Sequence, residues 1–214
     1  MTELLLIRHG ETDWNAERRL QGFLDIGLND HGRQQAVALA LALSDEVLDA
    51  VIASDLQRAV HTAQALALPR DLAVLTDASL RERCFGAFEG LLYDEIAGHF
   101  PQAHASWMAR EIDVRFPPGQ QHAETLREFS ARAVNSVMAI ARRHAGQKIA
   151  IVTHGGVLDC VYRAACGLRL DSARDFDIIN TGINRFHWDG NALRVLQWGN
   201  VAHLGQAALD EASQ

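Results

Sequence analysis

The amino-acid sequence predicts an α/β protein built as a three-layer α/β/α sandwich around a mainly parallel sheet. Short runs of aliphatic and β-branched residues alternate with longer stretches of helical periodicity, which is the pattern of strand–helix–strand units. The chain has 214 residues, of which 48% are hydrophobic and 22% charged, enough for one substantial core. No repeat, low-complexity tract or long linker divides it. We therefore expect a single domain over residues 1–214.

Six strands are predicted from short apolar runs that are bounded by polar or turn-forming residues. The tripeptide Asp189-Gly190-Asn191 separates the last two runs and favours a β-hairpin, which would add to one edge of the sheet. In chain order, the strands are expected over residues 4–7, 50–53, 72–75, 148–153, 183–188 and 192–198.

Helices are predicted where apolar residues recur at spacings of three and four. Asn29 or Asp30 would cap the first, and Ser54 or Asp55 the second, because these side chains accept hydrogen bonds from unpaired N–H groups. The longest helix carries a continuous apolar stripe and ends before Gly146. Four helices are expected over residues 30–43, 55–66, 124–144 and 157–166.

Two stretches lack this regularity. Residues 14–29 are expected to form a loop. Residues 84–122 hold several glycines and prolines, with short helices expected near 93–99 and 102–110, and we interpret them as a lid-like insertion. Its aromatic residues would either line a specificity pocket or pack in a core.

Composition excludes several classes of function. The net charge of −7 and the absence of any Lys/Arg-rich block argue against nucleic acid and anionic membranes as partners. No run approaches the length of a membrane span, and no signal-peptide pattern opens the chain. The three cysteines lack metal-ligand spacing, so a cytoplasmic location is expected. A homodimer is compatible with this sequence.

Cationic and nucleophilic side chains follow three of the predicted strands. Arg8-His9 ends the first, Arg58 lies just beyond the second, and His154 ends the fourth. If these strands are parallel neighbours, the side chains converge at one edge of the sheet, where open α/β sheets bind ligands. Arginine offers paired donors to phosphate and histidine can carry a covalent intermediate. A plain pair of surface residues is the alternative for Arg8-His9 alone.

A glutamate in an aromatic and glycine-rich loop completes the candidate set. Glu82 lies in the segment Leu80–Gly90, where partial burial would suit it to donate a proton. An ordinary solvated charge is the alternative for a single loop glutamate. Glu89 and Asp94 are nearby carboxylates that are able to take the same role.

Five segments in order resemble the histidine phosphatase superfamily, in its phosphoglycerate mutase-like branch, over nearly the whole chain. The resemblance rests on Arg-His-Gly-Glu-Thr with Trp-Asn, Gln-Gly, Ser-Asp-Leu-Gln-Arg-Ala, Leu-Arg-Glu with Phe-Gly and Glu-Gly, and Thr-His-Gly-Gly. In this numbering they begin at Arg8, Gln21, Ser54, Leu80 and Thr153.

The resemblance implies a phosphoglycerate mutase-like fold and assigns roles to nine residues. His9 would be the phosphate-accepting nucleophile and Glu82 the proton donor. Clamps for the phosphoryl oxygens would be Arg8, Arg58 and His154. Substrate-binding neighbours would be Asn15, Gln21, Gly22 and Gly155. Neither a metal nor another cofactor is expected, because the arginines supply the positive charge.

The nucleophile needs a neutral imidazole whose second nitrogen is fixed by a hydrogen bond. The Gly10 carbonyl is a candidate acceptor for that bond. The expected reaction is hydrolysis of a phosphomonoester of a small phosphorylated metabolite through a phosphohistidine. The alternatives are a cofactor-dependent phosphoglycerate mutase and an inactive phosphate-binding module. Cofactor-dependent mutases of the family carry a His-Tyr pair soon after the acid and Asn at position 156, whereas in this chain Arg83-Cys84-Phe85 follows the acid and position 156 is Gly156.

Overall fold

A six-stranded sheet forms the centre of the protein in the computed structural model, which describes residues 1–205. The strand order is β3-β2-β4-β1-β5-β6. The strands β1 to β4 are parallel, and the β5–β6 hairpin adds antiparallel at one edge, as predicted. The strands are β1 (Thr2–Arg8), β2 (Ala50–Ala53), β3 (Val74–Thr76), β4 (Lys148–Thr153), β5 (Ile183–Trp188) and β6 (Leu193–Asn200).

Helices cover both faces of this sheet, which confirms the three-layer prediction. One face packs against α2 and α3, and the other against α6 and α7. Successive residues of β1 point to opposite faces, and the four central ones, residues 4–7, are all fully buried, so an unbroken apolar run is what the middle of this strand requires. The helices are α1 (Asp13–Ala16), α2 (Asp30–Ala42), α3 (Gln57–Ala67), α4 (Tyr93–His99), α5 (Pro101–Met108), α6 (Leu126–Arg143) and α7 (Gly155–Cys166).

The register of the central strands brings their carboxyl ends level. Arg8 of β1 pairs with Thr153 of β4, and Ala53 of β2 pairs with Val152. The backbone therefore leaves the sheet at His9 and at His154 side by side. This alignment creates the crevice at the strand ends that the sequence predicted.

One predicted cap was wrong, and one helix was missed. The N-cap of α3 is Leu56, which makes no side-chain cap. Asp55 instead accepts two hydrogen bonds from the Arg81 guanidinium, at 2.7 and 2.6 Å, because tertiary packing brings this distant partner close. The short α1 overlaps the start of the predicted 14–29 loop and is held by a reciprocal cap between Thr12 and Asn15.

The segment 84–122 builds a small apolar cluster of its own. Phe88 and Phe116 stack with ring centroids 4.5 Å apart, and Ile96 is fully buried beside them. The predicted short helices are present as α4 and α5. The lid-like behaviour of this segment stays a prediction. Within residues 1–205, no helix is both long enough and apolar enough to cross a bilayer.

Candidate active site

One cavity of about 840 Å³ opens at the carboxyl ends of β1, β2 and β4. The sequence predicts ligand binding at this edge of the sheet. All nine predicted site residues line it: Arg8, His9, Asn15, Gln21, Gly22, Arg58, Glu82, His154 and Gly155. The structure therefore brings together residues that are as many as 147 positions apart (Arg8 to Gly155).

The His9 ring is fixed by its own neighbour. Its Nδ1 lies 2.7 Å from the Gly10 carbonyl oxygen, which can only accept, so Nδ1 carries the proton and donates. The backbone is held too, since the His9 N–H donates to Thr153 at 2.9 Å and its carbonyl accepts from the Asn180 amide at 2.8 Å. Nε2 is left as the ring nitrogen with a lone pair.

Both active-site histidines are held neutral. Burial lowers the pKa of His9 well below its ordinary value, and the charges of Arg58 and Arg8 lower it further against a smaller opposing effect of the Gly10 bond. Burial likewise lowers the pKa of His154 first, followed by the charge of Arg58. The two rings meet edge to face with centroids 5.1 Å apart. A neutral imidazole is the form that can attack phosphorus.

These lowered pKa values predict a stability that falls with acid. The unfolded chain takes up protons at both histidines below about pH 6.5, whereas the folded chain does not. The free energy of unfolding is therefore fully retained above that pH and decreases as the pH falls below it, by at most about 1.4 kcal/mol per pH unit for each residue. Urea unfolding between pH 7.5 and 5 should show this slope.

The matched variants are His154→Gln and, as control, His61→Gln. The first should flatten the decline of unfolding free energy with acid, because it removes a side chain whose pKa is lowered in the folded protein. His61 is exposed on α3, so its replacement should leave the slope as it was. An unchanged slope in His154→Gln would contradict the electrostatic argument.

Two buried arginines flank the histidines. Arg8 Nη1 donates to the Ile178 carbonyl at 2.6 Å. Arg58 donates from Nη1 to Leu24 and from Nη2 to Gly22, both at 2.8 Å. These bonds to backbone oxygens fix the planes of the guanidinium groups. Fixed donors of this kind stabilise charge on phosphoryl oxygens without reorganising.

Asn15 offers a donor to the same cavity. Its Oδ1 accepts from the backbone N–H and the hydroxyl of Thr12, both at 3.0 Å. The acceptor end of the amide is thus occupied, and Nδ2 is the remaining polar group. A donor at this position suits a phosphoryl oxygen.

Glu82 is held by two backbone donors. Oε1 accepts from the N–H of Arg83 at 2.7 Å, and Oε2 accepts from Gly156 at 2.9 Å. Gly156 lies in the first turn of α7, so a helix N-terminus helps to orient this carboxylate.

Glu89, the alternative proton donor, stabilises the local structure through hydrogen bonds to backbone N–H groups. Its Oε1 accepts from the N–H groups of Phe23 and Phe85, at 3.1 and 2.8 Å, and so ties two loops together. Burial raises the pKa of this group. Glu89 is not among the residues that line the cavity, whereas Asp94 is.

Arg132 is a residue that sequence reasoning missed. Its guanidinium donates to the carbonyls of Ser79, Arg81 and Glu82, at 2.9 to 3.0 Å, and pairs with Glu124 at 2.6 Å. It therefore holds the loop that carries Glu82. Its place on α6 is distant in sequence from that loop, and no local pattern marks it.

Arg83 was also missed as a site residue. It is 4% exposed, and burial lowers its pKa to about 10. Its Nε and Nη2 donate to the Glu124 carbonyl at 3.0 and 2.8 Å. Since Arg83 also lines the cavity, it adds a cation there next to Glu82 in the chain.

The outer part of the cavity carries both signs of charge. Four arginines beyond the phosphoryl clamp line it, together with five acids and a rim of aromatic rings that includes Phe85 and Trp107. Phe88, in contrast, packs in the core of the insertion. The charged residues are Arg19, Arg83, Arg110, Arg174, Asp94, Glu111, Asp159, Asp175 and Asp177. Among residues 1–205, no group of three or more His, Cys, Asp or Glu side chains is placed to hold a metal ion.

Comparison with known protein families identifies the family to which this chain belongs. The sequence model described as "Histidine phosphatase superfamily (branch 1)" matches residues 4–201. The chain belongs to the histidine phosphatase superfamily. This match spans β1 through β6, so the histidine phosphatase family accounts for the sheet and for the strand ends that carry His9 and His154.

Individual relatives agree with the family match. Phosphoglycerate mutase-like protein 4 of Arabidopsis thaliana is 42% identical over 206 residues, covering 94% of this chain and 86% of the relative. The metal-independent phosphoserine phosphatase of the same plant is 35% identical over 210 residues, covering 95% and 84%. The crystal structure of Entamoeba histolytica phosphoserine phosphatase with 3-phosphoglyceric acid superposes with a TM-score of 0.83 at 27% identity, covering 95% and 100%.

These relationships confirm the predicted fold and the predicted class of reaction. The protein is a histidine phosphatase, a phosphomonoester hydrolase that works through a phosphohistidine on a small phosphorylated metabolite.

Proposed function

We propose that this histidine phosphatase hydrolyses the phosphate ester of a small amino or hydroxy carboxylic acid, with phosphoserine as the first candidate. The observation that carries the catalytic part is the His9 ring, whose Nδ1 donates to Gly10 while two buried arginines lie beside it. That arrangement supports a neutral imidazole nucleophile facing a bound phosphoryl group.

The first step transfers the phosphoryl group to the enzyme. The Nε2 lone pair of His9 forms an N–P bond as the bond between phosphorus and the ester oxygen breaks. Glu82 gives its proton to that oxygen, and the alcohol leaves. Arg8 and Arg58, with His154 and Asn15, offer donors to the equatorial oxygens as negative charge shifts on them.

The second step returns the enzyme to its starting state. The Glu82 carboxylate, which has lost its proton, accepts one from a water molecule that attacks phosphorus. The N–P bond breaks, inorganic phosphate leaves, and His9 regains its neutral form. Each proton given in the first step is thus recovered in the second.

The outer cavity supports a substrate with both a carboxylate and an ammonium group. Arg83 places a buried positive charge beside Glu82, where it suits a carboxylate. The nearby acids Asp94 and Glu111 suit an ammonium group. The names of the phosphoserine phosphatases among the relatives point to the same class of substrate.

Gly156 supports hydrolysis over a mutase reaction. A Cβ at this position would lie 2.2 Å from Glu82 Oε1. A side chain here, such as the asparagine that family mutases carry, would therefore displace the Glu82 carboxylate from the position that it occupies. The phosphoglycerate mutase-like name of the 42% identical relative keeps mutase activity as the second candidate.

The cysteines support a reducing compartment. All three are free thiols, with Cys84 and Cys160 buried and Cys166 exposed. Such a set fits a cytoplasmic location. The homodimer stays a prediction from the sequence.

A panel of phosphate esters tests the proposal. Phosphoserine, 3-phosphoglycerate, ribose 5-phosphate and a simple alkyl phosphate should be assayed for phosphate release, each with and without EDTA. We expect the highest kcat/KM for phosphoserine and no effect of the chelator. Interconversion of phosphoglycerates that depends on 2,3-bisphosphoglycerate, at a rate above hydrolysis, would favour the mutase. Loss of activity in EDTA that Mg²⁺ restores would contradict the metal-independent mechanism.

The variant Arg83→Met tests the carboxylate site in the same panel. Methionine keeps much of the buried volume and removes the charge, so KM for phosphoserine should rise by roughly 10-fold or more. The alkyl phosphate has no carboxylate and serves as the control substrate. An equal rise in KM for both substrates would remove Arg83 from substrate selection.

A further inference from the structure

Two adjacent glycines open α7, and they differ in the space that a side chain would find. A Cβ on Gly155 would lie 3.7 Å from Arg8 Nε, which is an ordinary contact. A Cβ on Gly156 would lie 2.2 Å from Glu82 Oε1 and 2.9 Å from the Phe129 ring. Neither glycine has a positive φ. Gly156 is therefore required by the space that Glu82 occupies and not by the backbone.

We propose that Gly156 is a positioning residue whose missing side chain allows the Glu82 carboxylate to lie against the first turn of α7. The inference rests on the proposed role of Glu82 as proton donor. Gly156 supplies the N–H that Oε2 accepts, at 2.9 Å, across 74 positions of sequence. It thus contributes both the hydrogen-bond donor and the space in which the acceptor lies.

The surroundings determine which group would move if a methyl were added. Phe129 is 2% exposed and belongs to the core that packs under α6 and α7, so its ring has little room. The Glu82 carboxylate is the far end of a flexible side chain that faces the cavity. A methyl at position 156 would therefore displace the carboxylate from the Gly156 N–H and from its place beside the substrate.

Displacement of the acid has a selective consequence. A shift of about 1 Å in a catalytic group lowers the rate on the order of 10²-fold. An alkyl phosphate needs a proton on its leaving oxygen, whereas an activated aryl phosphate needs little help. Gly156→Ala should therefore lower kcat for phosphoserine by on the order of 10²-fold and affect formation of the phosphoenzyme from an aryl phosphate much less.

The decisive measurement is a double-mutant cycle that combines Gly156→Ala with Glu82→Gln. The quantity measured for each variant is kcat for phosphoserine. If Gly156 acts through Glu82, adding Gly156→Ala to Glu82→Gln should change kcat by less than about 3-fold, because the acid is already removed. A purely structural role would multiply the two losses. Gly98→Ala is the control, since Gly98 is an exposed helical glycine whose Cβ would meet nothing within 4 Å.

Each outcome separates the inference from the function on which it rests. Full kcat in Gly156→Ala together with a large loss in Glu82→Gln overturns the inference alone. A harmless Glu82→Gln overturns the proton-donor role and the inference with it. If Gly156→Ala does not accumulate as folded protein, the pair Phe129→Leu and Phe129→Leu/Gly156→Ala gives the same comparison, because leucine lacks the ring atoms that the methyl would meet.

Discussion

Replacing His9 with alanine should abolish turnover of phosphoserine, with kcat/KM falling by on the order of 10⁴ or more. The imidazole is the proposed nucleophile at the end of β1. His154 lies beside it, but its ring has no hydrogen bond among residues 1–205 that would fix a tautomer. Steady-state assays of phosphate release and rapid alkaline quench with labelled substrate measure the loss.

The intermediate itself gives the sharper readout. Wild-type enzyme, denatured during turnover, should carry a phosphoryl group that is stable to alkali and labile to acid, as expected for a phosphohistidine. The His9→Ala protein should carry none. Phosphate release at the wild-type rate in this variant, or a label stable to acid, would place the covalent step on another residue.

Replacing Glu82 with glutamine should lower kcat for an alkyl phosphate by roughly 10²–10⁴. The amide keeps the size of the side chain and its ability to accept from Gly156, but it has no acidic proton to give to the leaving oxygen. With an activated aryl phosphate the burst of the first step should suffer less, since that leaving group needs little protonation. Burst kinetics on the two substrates provide the comparison.

Matched variants identify the acid among the neighbouring carboxylates. Asp94→Asn changes a second carboxylate that lines the cavity. We expect this variant to change KM and to leave the ratio of kcat on the alkyl phosphate to kcat on the aryl phosphate close to that of the wild type. Glu89→Gln should lower stability, because Glu89 ties the loops at Phe23 and Phe85. If Glu82→Gln lowered kcat slightly and equally on both substrates, and Asp94→Asn lowered kcat on the alkyl phosphate far more than on the aryl phosphate, Asp94 would be the acid.

The strands and helices could be predicted because the residue pattern that specifies each of them lies within its own segment of the sequence. A buried parallel strand needs apolar residues on both faces, so β1, β2 and β4 are visible as short unbroken runs. Helical periodicity marks α6 in the same way. One error lies at an element end, where a tertiary contact takes over: Arg81 binds Asp55, and the N-cap of α3 is Leu56, whose side chain makes no cap.

That Arg8, His9 and His154 meet could be predicted from the sequence, because each lies at the end of an apolar strand and parallel strands align their ends. How these residues are held, and what surrounds them, became visible in the folded structure alone. The burial of Arg83, the support of the acid loop by Arg132 and the space that Gly156 leaves for Glu82 all join segments far apart in the chain. Such contacts depend on the packing of side chains in three dimensions, which no local spacing of residues records.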